Sequence, residues 1–353
     1  MFDNLDIEKD PYVLHLRSRL DKLASVDVAE DNTVLVDVAE RGQLESDRLE
    51  RERLEKERLT SALAKAVRKK STITFDAMKK LVQSGRDTFI ELGAWATDWF
   101  IAHSVSKLLR PIDAEEFSFF DSKRSTNETR YLRKILEDVE IPATSLSPDD
   151  VAAGVADQID KLVQVLLEEK ATTERHDEAY SGIIFVKLRT AAMLVAQILK
   201  YHPATRDTFK VGFLVGWSND ERRRNVLDLV VGAGNEQDQL QTLQQFREGE
   251  INLMIATSVL EEGLDVPICN NVVRFNRPDN ITSWVQSRGR ARAKRSSFVV
   301  MFNNIENGTF IVQQLMALEE QMNAKYRDAM RERTVEPPQR EGNQQYYRVA
   351  ETG

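Results

Sequence analysis

From residue 182 onward, short apolar runs alternate with longer segments of helical character. Five runs are rich in β-branched and aromatic residues: GIIFV, FKVGFLVG, NLMIATS, NNVVRFN and SSFVVMF. Segments such as TAAMLVAQILKY and DQLQTLQQFR lie between them. Strands that are apolar throughout belong in a sheet covered on both faces, and the intervening helices supply that cover. The sequence therefore predicts an α/β domain built on a parallel sheet.

Composition limits the environment in which this chain works. Of its 353 residues, 41% are hydrophobic and 30% are charged, which is typical of a soluble protein with much exposed helix. No apolar run approaches the roughly 20 residues that cross a bilayer, and the acidic start MFDNLDIEKD does not resemble a signal peptide. We therefore expect a cytoplasmic protein, with the nucleus as the alternative, and no membrane partner. Cys269 is the only cysteine, so disulfides and zinc clusters are excluded and no metal ligands are predicted. Its place between Ile268 and Asn270 predicts a packed thiol.

The net charge of −8 conceals a basic region. Residues 181–300 contain 16 Lys and Arg against 12 Asp and Glu, and residues 274–295 contain seven basic side chains and one acidic one. A local basic excess on an acidic molecule predicts a phosphate-binding face.

Residues 41–172 contain no convincing strand. The run QLESDRLERERLEKERL predicts a long charged helix, whose leucines recur every five residues and so form no continuous stripe for a coiled coil. Trp95 and Trp99 lie four residues apart on an apolar helix, and we interpret them as core residues in preference to a platform for stacking bases.

Two polar motifs lie among the predicted strands. In IATSVLEEGLDVP, the hydroxyls of Thr257 and Ser258 follow a strand and precede the carboxylate of Asp265. In WVQSRGRAR, three arginines surround Gly289 after a short predicted helix. Guanidinium groups bind phosphate oxygens in a forked geometry and stabilise charge during phosphoryl transfer. Three arginines alone would indicate a solvated surface cluster, but this order of motifs favours a nucleotide site.

The stretch ATSVLEEGLDVPICNNVVRFNRP with QSRGRAR resembles motifs V and VI of superfamily 2 helicases, and within them the Dicer and RNA-sensor helicases. The resemblance implies a RecA-like α/β domain without its own phosphate-binding loop, preceded by an all-helical insertion and followed by a helical arm. The implied domains are a segment leaving the first motor domain (1–40), the insertion (41–172), the RecA-like domain (173–303), the arm (304–335) and the start of the next domain (336–353).

The same resemblance implies roles for individual residues. Catalytic roles in ATP hydrolysis fall on Gln286, Arg290 and Arg292, and ATP-binding roles on Gly263, Asp265 and Arg288. Contacts with the RNA backbone are implied for Thr257, Ser258, Gln239 and Lys187. Three of these RNA-contact residues also have a purely structural interpretation. The hydroxyls of Thr257 and Ser258 could hydrogen-bond backbone amides at the strand end, and Lys187 could be a solvated surface lysine.

Half of an ATP site is missing from this sequence. It contains no GxxxxGK[ST] loop and no acidic magnesium motif after a suitable strand. We therefore expect ATP with Mg²⁺ to bind only in combination with a first motor domain, and the chain by itself to be inactive.

By resemblance, the expected function is that of the C-terminal helicase half of a fungal-type Dicer-like protein in RNA interference and antiviral defence. The implied partners are double-stranded RNA and the first RecA-like and nuclease domains of the full-length protein. Two alternatives stay open: a non-hydrolysing fragment that binds duplex RNA or protein, and part of an RNA-sensor helicase without a nuclease.

Overall fold

The computed structural model describes residues 11–26, 38–69, 72–109, 126–141, 143–215, 236–258, 266–302, 305–332 and 344–351. Its helices are α1 (Pro11–Val26), α2 (Val38–Lys69), α3 (Ile73–Leu92), α4 (Ala94–Leu109), α5 (Thr126–Glu137), α6 (Pro148–Ala153), α7 (Asp157–Glu174), α8 (Arg189–Tyr201), α9 (Glu236–Arg247), α10 (Ile281–Arg288) and α11 (Ile305–Glu332). None of these helices is long and apolar enough to cross a membrane.

The strands form a single parallel sheet. They are β1 (Gly182–Phe185), β2 (Val211–Leu214), β3 (Leu253–Ala256), β4 (Asn271–Arg274), β5 (Arg295–Phe302) and β6 (Gln344–Glu351), in the order β2-β3-β1-β4-β5-β6. All five predicted apolar runs are strands, and β1, β3 and β4 are buried along their whole length. The predicted α/β class is confirmed.

The sixth strand differs from the sequence-based expectation. The resemblance assigned residues 336–353 to the start of a following domain, whereas β6 pairs in parallel with all eight residues of β5, from Gln344 opposite Arg295 to Glu351 opposite Phe302. The tail is a strand, as expected, but it extends this sheet because its backbone amides and carbonyls complete the open edge of β5.

The described residues fall into two compact units. One comprises residues 1–83 and 105–140, and the other 84–104 and 141–353. The predicted boundary between residues 172 and 173 therefore does not separate the units, because α6 and α7 group with the sheet. A hydrogen bond from Gln158 Nε2 to the carbonyl of Phe275, 2.9 Å long, ties α7 to the end of β4.

In the first unit, α1 packs on the long charged helix α2. Tyr12, Leu16 and Leu59 form a small buried cluster, whereas Leu49 and Leu54 on α2 are exposed. The five-residue spacing of the leucines thus buries only part of the row, as expected for a pattern that winds around the helix.

The second unit contains the main core. Apolar side chains of the strands, with Trp284 from α10 and Leu243 and Phe246 from α9, form one buried cluster on a face of the sheet. Trp95 is also buried and donates its indole N–H to the carbonyl of Ser145 over 2.7 Å, which confirms its assignment to the core. Trp99 is half-buried and stacks on His103.

Candidate functional site

The carboxyl ends of the central strands carry one group of predicted site residues. Lys187 follows β1 and Thr257 follows β3, and the backbone N–H of Thr257 donates to the carbonyl of Leu214 on β2. The Thr257 side chain is buried, while that of the next residue, Ser258, is exposed. We call this side of the sheet the carboxyl edge, and Lys187, Thr257 and Ser258 all lie on it. Their predicted contacts with the RNA backbone stay predictions.

Asn276, which the sequence did not single out, organises the carboxyl edge. Its Oδ1 accepts the backbone N–H of Lys187 at 2.9 Å, and its Nδ2 donates to Glu91 Oε1 of α3 at 3.5 Å. The ammonium group of Lys187 lies 2.8 Å from Asp279 Oδ1, with both side chains more than half exposed. An ion pair as exposed as this contributes little stability, so the lysine can exchange Asp279 for a phosphate at small cost.

Glu91 lies in an environment that disfavours its charge. Burial raises the pKa of its carboxyl group, and the negative charge of Asp87 raises it further. The hydrogen bond from Asn276 and the positive charge of Lys187 lower the same pKa and partly oppose this shift.

Gln239 lies on α9, the helix between β2 and β3. Its residue is half-buried, and its Nε2 is buried with no hydrogen-bond partner among the described residues. The neighbouring Leu243 and Phe246 anchor α9 in the core. The predicted RNA contact of Gln239 stays a prediction.

The arginine-rich motif lies at the opposite side of the sheet, the amino edge. Ala291 forms a parallel bridge with Cys269, two residues before β4 begins, and the N–H of Ala293 donates to the carbonyl of Cys269. Since β4 is four residues long, about 13 Å of strand separates this edge from the carboxyl edge. The sequence did not predict that the two sets of residues lie at opposite edges.

Helix α10 joins the two edges. It begins beside the carboxyl edge, where Asn280 Oδ1 caps it by accepting the N–H of Ser283 at 2.9 Å. It ends at Arg288, and Gly289 follows with a helical φ of −63°, which any residue can adopt. The chain then turns so that the N–H of Arg290 donates to the carbonyl of Ser287.

The four motif residues have different surroundings. Arg290 is 7% exposed, whereas Arg292 is exposed and donates from Nε to the carbonyl of Gly289 over 2.9 Å. Gln286 is half-buried on α10. Arg288 forms an ion pair with the buried Glu319 of α11, which also accepts the indole N–H of Trp284 at 3.0 Å. Arg288 is thus bound to the arm helix α11. The predicted contact of Arg288 with ATP stays a prediction.

Gly263 and Asp265, predicted to bind ATP, lie outside the described residues. The described chain resumes at Val266 and runs through Cys269 to the start of β4. No group of three or more potential metal ligands occurs within the described ranges.

Cys269 is a packed thiol, as the sequence predicted. Burial raises the pKa of its thiol to about 11, and Ser181, Arg290 and Arg292 oppose that shift only in part. The thiolate is the reactive form, and at pH 8 a pKa near 11 leaves roughly one thiol in a thousand ionised. We expect an aromatic disulfide reagent at pH 8 to modify native Cys269 at least ~100-fold more slowly than the urea-unfolded chain. Equal rates in the two states would contradict this burial.

Comparison with known proteins places this sheet in a family. Residues 157–294 match the helicase conserved C-terminal domain. Dicer-like protein 2 of Pyricularia oryzae is 32% identical over 332 residues, which are 94% of this chain and 19% of that protein. Dicer-like protein 2 of Cryphonectria parasitica is 34% identical over 274 residues, 76% of this chain and 17% of the relative. The chain carries the helicase C-terminal part of a Dicer-like protein.

The match covers a part of these relatives, since the chain spans less than a fifth of the length of either one. Among solved structures, the helicase domain of Pyrococcus furiosus Hef is 18% identical, with 85% of this chain and 53% of that chain covered and a TM-score of 0.36. The fold of the Dicer-like helicase part is assigned from its parallel sheet and from the family match, and not from this solved structure.

Sequence reasoning missed Arg274, Asn276 and Glu319. Arg274 ends a strand, where an apolar run closes on one charged residue, and it is only 6% exposed. A charged residue within a strand pattern is the signal that marks Arg274 for attention. No local pattern marks Glu319, because its partners lie 31 and 35 residues earlier.

Proposed function

We propose that this chain is the C-terminal helicase half of a Dicer-like RNA-silencing protein, which acts in RNA interference and antiviral defence. The observation that carries the proposal is the division of the predicted residues between two edges of one helicase-type sheet. Lys187 and Thr257 occupy the carboxyl edge, and Arg290 and Arg292 follow α10 to the amino edge. RNA and ATP would then bind to opposite ends of the same strands.

At the amino edge, the proposed ligand is ATP with Mg²⁺ held mainly by a first motor domain. Arg290 and Arg292 would act as arginine fingers that stabilise charge on the transferred phosphoryl group, and Gln286 would orient the attacking water. Asp265 would contact the ribose. Arg292 is the exposed member of the pair, whereas Arg290 is held against the protein, so closure of the two motor domains would bring the nucleotide to them.

At the carboxyl edge, the proposed ligand is the phosphate backbone of double-stranded RNA. Hydroxyl, amide and ammonium groups recognise phosphate oxygens without reading base identity. A-form RNA also hides its base edges in a deep, narrow groove. The chain is therefore expected to bind duplexes with little sequence preference.

Lys187→Ala tests the RNA edge directly. Each phosphate contact contributes about one unit to the slope of log Kd against log salt, so we expect the variant to bind a short blunt RNA duplex several-fold more weakly and with a slope smaller by about 1. Fluorescence anisotropy at a series of salt concentrations measures both quantities. Lys200→Ala, an exposed lysine at the end of α8, is the matched control. An unchanged slope for Lys187→Ala, or strong base selectivity of the parent chain, would overturn the assignment.

A second candidate function is a duplex-binding fragment that never hydrolyses ATP. The carboxyl edge with Lys187 and Thr257 would suffice for this function, since duplex binding there needs no nucleotide. The two functions are distinguished by measuring ATP turnover of a protein that also contains a first motor domain. A helicase half gains ATPase activity from that domain, whereas a duplex-binding fragment does not.

A further inference from the structure

We propose that Arg274 is a positioning residue that links the carboxyl edge to helix α10, so that RNA bound at one edge changes the position of Arg290 at the other. This inference rests on the proposed function, because it assumes that RNA and ATP bind to the two edges. Arg274 would contact neither ligand, and the RNA site would act on the ATP site through it.

Arg274 is the last residue of β4 and is almost completely buried. One of its terminal nitrogens donates to Ser283 Oγ at 2.7 Å and to Ser287 Oγ at 3.1 Å. Its guanidinium group also lies over the ring of Phe185, 5.8 Å from the ring centre. Removing an arginine from water is costly, so a buried arginine with several fixed acceptors strongly constrains the elements that supply them.

The two serines place this constraint on α10. Ser283 lies in its first turn, and Ser287 lies one turn later with a fully buried side chain. From Ser287 the chain needs only three residues to reach Arg290, whose N–H is bonded to the Ser287 carbonyl. A rotation or shift of α10 about Arg274 therefore moves Arg290 directly.

The other end of the link is the turn that holds Lys187. Arg274 Nε donates to the carbonyl of Asn276 at 3.4 Å, and the side chain of Asn276 accepts the backbone N–H of Lys187. A phosphate that draws Lys187 away from Asp279 acts on a turn already bonded to Asn276. Lys187, Asn276, Arg274 and Ser287 thus form a continuous series of hydrogen bonds between the edges.

Spatial continuity alone does not establish coupling, because coupling is a difference in free energy between two arrangements. The planar guanidinium group can hold Asn276 and both serines at once, whereas an ammonium group at the end of a flexible chain cannot reproduce this fork. Arg274→Lys therefore retains the charge and removes the link.

The test uses the complete helicase, with the first motor domain present in the same protein. We expect Arg274→Lys to lower the ratio of RNA-stimulated to basal kcat by about tenfold, within the roughly 5- to 150-fold range of typical allosteric coupling. The Kd for a blunt duplex and the KM for ATP should change by less than about threefold. Hydrogen–deuterium exchange of residues 281–290 should respond to duplex in the parent protein and not in Arg274→Lys. Arg206→Lys, at an exposed arginine after α8, is the control.

A merely structural role predicts a different result. Proportional losses in duplex binding, basal turnover and stimulated turnover, or an unchanged stimulation ratio, would overturn the inference. If Arg274→Lys does not fold, Ser287→Ala removes one acceptor on α10 and must lower the ratio several-fold, and an unchanged ratio there rejects the link. If the parent helicase shows no RNA-stimulated turnover, the proposed function itself fails, whereas normal stimulation in both parent and variant rejects only the role of Arg274.

Discussion

Arg290→Ala is expected to abolish RNA-stimulated ATP hydrolysis by the complete helicase while leaving duplex binding within about twofold of the parent. Arginine fingers contribute roughly 10³- to 10⁵-fold to kcat in phosphoryl transfer, because they stabilise charge that develops only in the transition state. The residues proposed to bind RNA lie at the other end of the strands, so the loss should appear in kcat and not in Kd. Steady-state ATPase assays and duplex anisotropy measure the two effects.

Arg292→Ala should cause a large kcat loss as well, whereas Arg206→Ala at an exposed arginine elsewhere should cause none. The isolated 353-residue chain should show no RNA-stimulated turnover, since its sequence contains no phosphate-binding loop. Turnover by the isolated chain that Arg290→Ala abolishes would contradict the half-site interpretation. If Arg290→Ala retains full kcat in the complete helicase, Arg290 does not act as an arginine finger.

Trp284→Ala is expected to have the largest effect on stability. The Trp284 side chain is completely buried, its ring packs edge-on against Phe298 at 5.1 Å between centres, and its indole N–H is bonded to Glu319. Replacing a buried Trp with Ala costs about 3–5 kcal/mol through lost burial and the cavity left behind. The substitution also removes one of the two partners of a buried carboxylate.

Native-state hydrogen exchange of the amides in β1, β3 and β4 is the appropriate measurement. It reports on the sheet by itself, and a chain with two compact units need not unfold in a single transition. Phe310→Ala, at a side chain 59% exposed on α11, is the control and should change stability by less than about 0.5 kcal/mol. A loss below about 1 kcal/mol for Trp284→Ala would show that the α10–α11 contact does not support the sheet.

Much of the fold followed from local pattern. The run GIIF is apolar at every position and became the central strand β1, and the alternation of such runs with helices predicted the parallel sheet. The packing of Trp95 and the burial of Cys269 were also predicted from their neighbours in sequence. These features depend on side chains only a few residues apart, which is the range over which periodicity carries information.

Features that join distant parts of the chain were not predicted. Strand β6 was assigned to a following domain, whereas it pairs with β5. The sequence of a strand does not specify which strand it pairs with, so this pairing could not be read from the local pattern. The ion pair between Arg288 and Glu319 of the arm helix was also not predicted, while the contact of Arg288 with ATP stays a prediction. Two arginines separated by one glycine look alike in sequence, and only the packing of α10 on α11 distinguishes the one that meets a carboxylate.

The sequence by itself determined the elements, the family resemblance and the chemical groups available for phosphate binding, because these depend on local residue types and their order. Only the tertiary structure decided that Lys187 and Thr257 lie at one edge of the sheet and Arg290 at the other, with Arg274 bonded between them. The physical reason is that strand order, helix packing and the solvation of a buried charge depend on contacts between residues far apart in the chain. Those contacts form only when the whole sheet and its helices assemble.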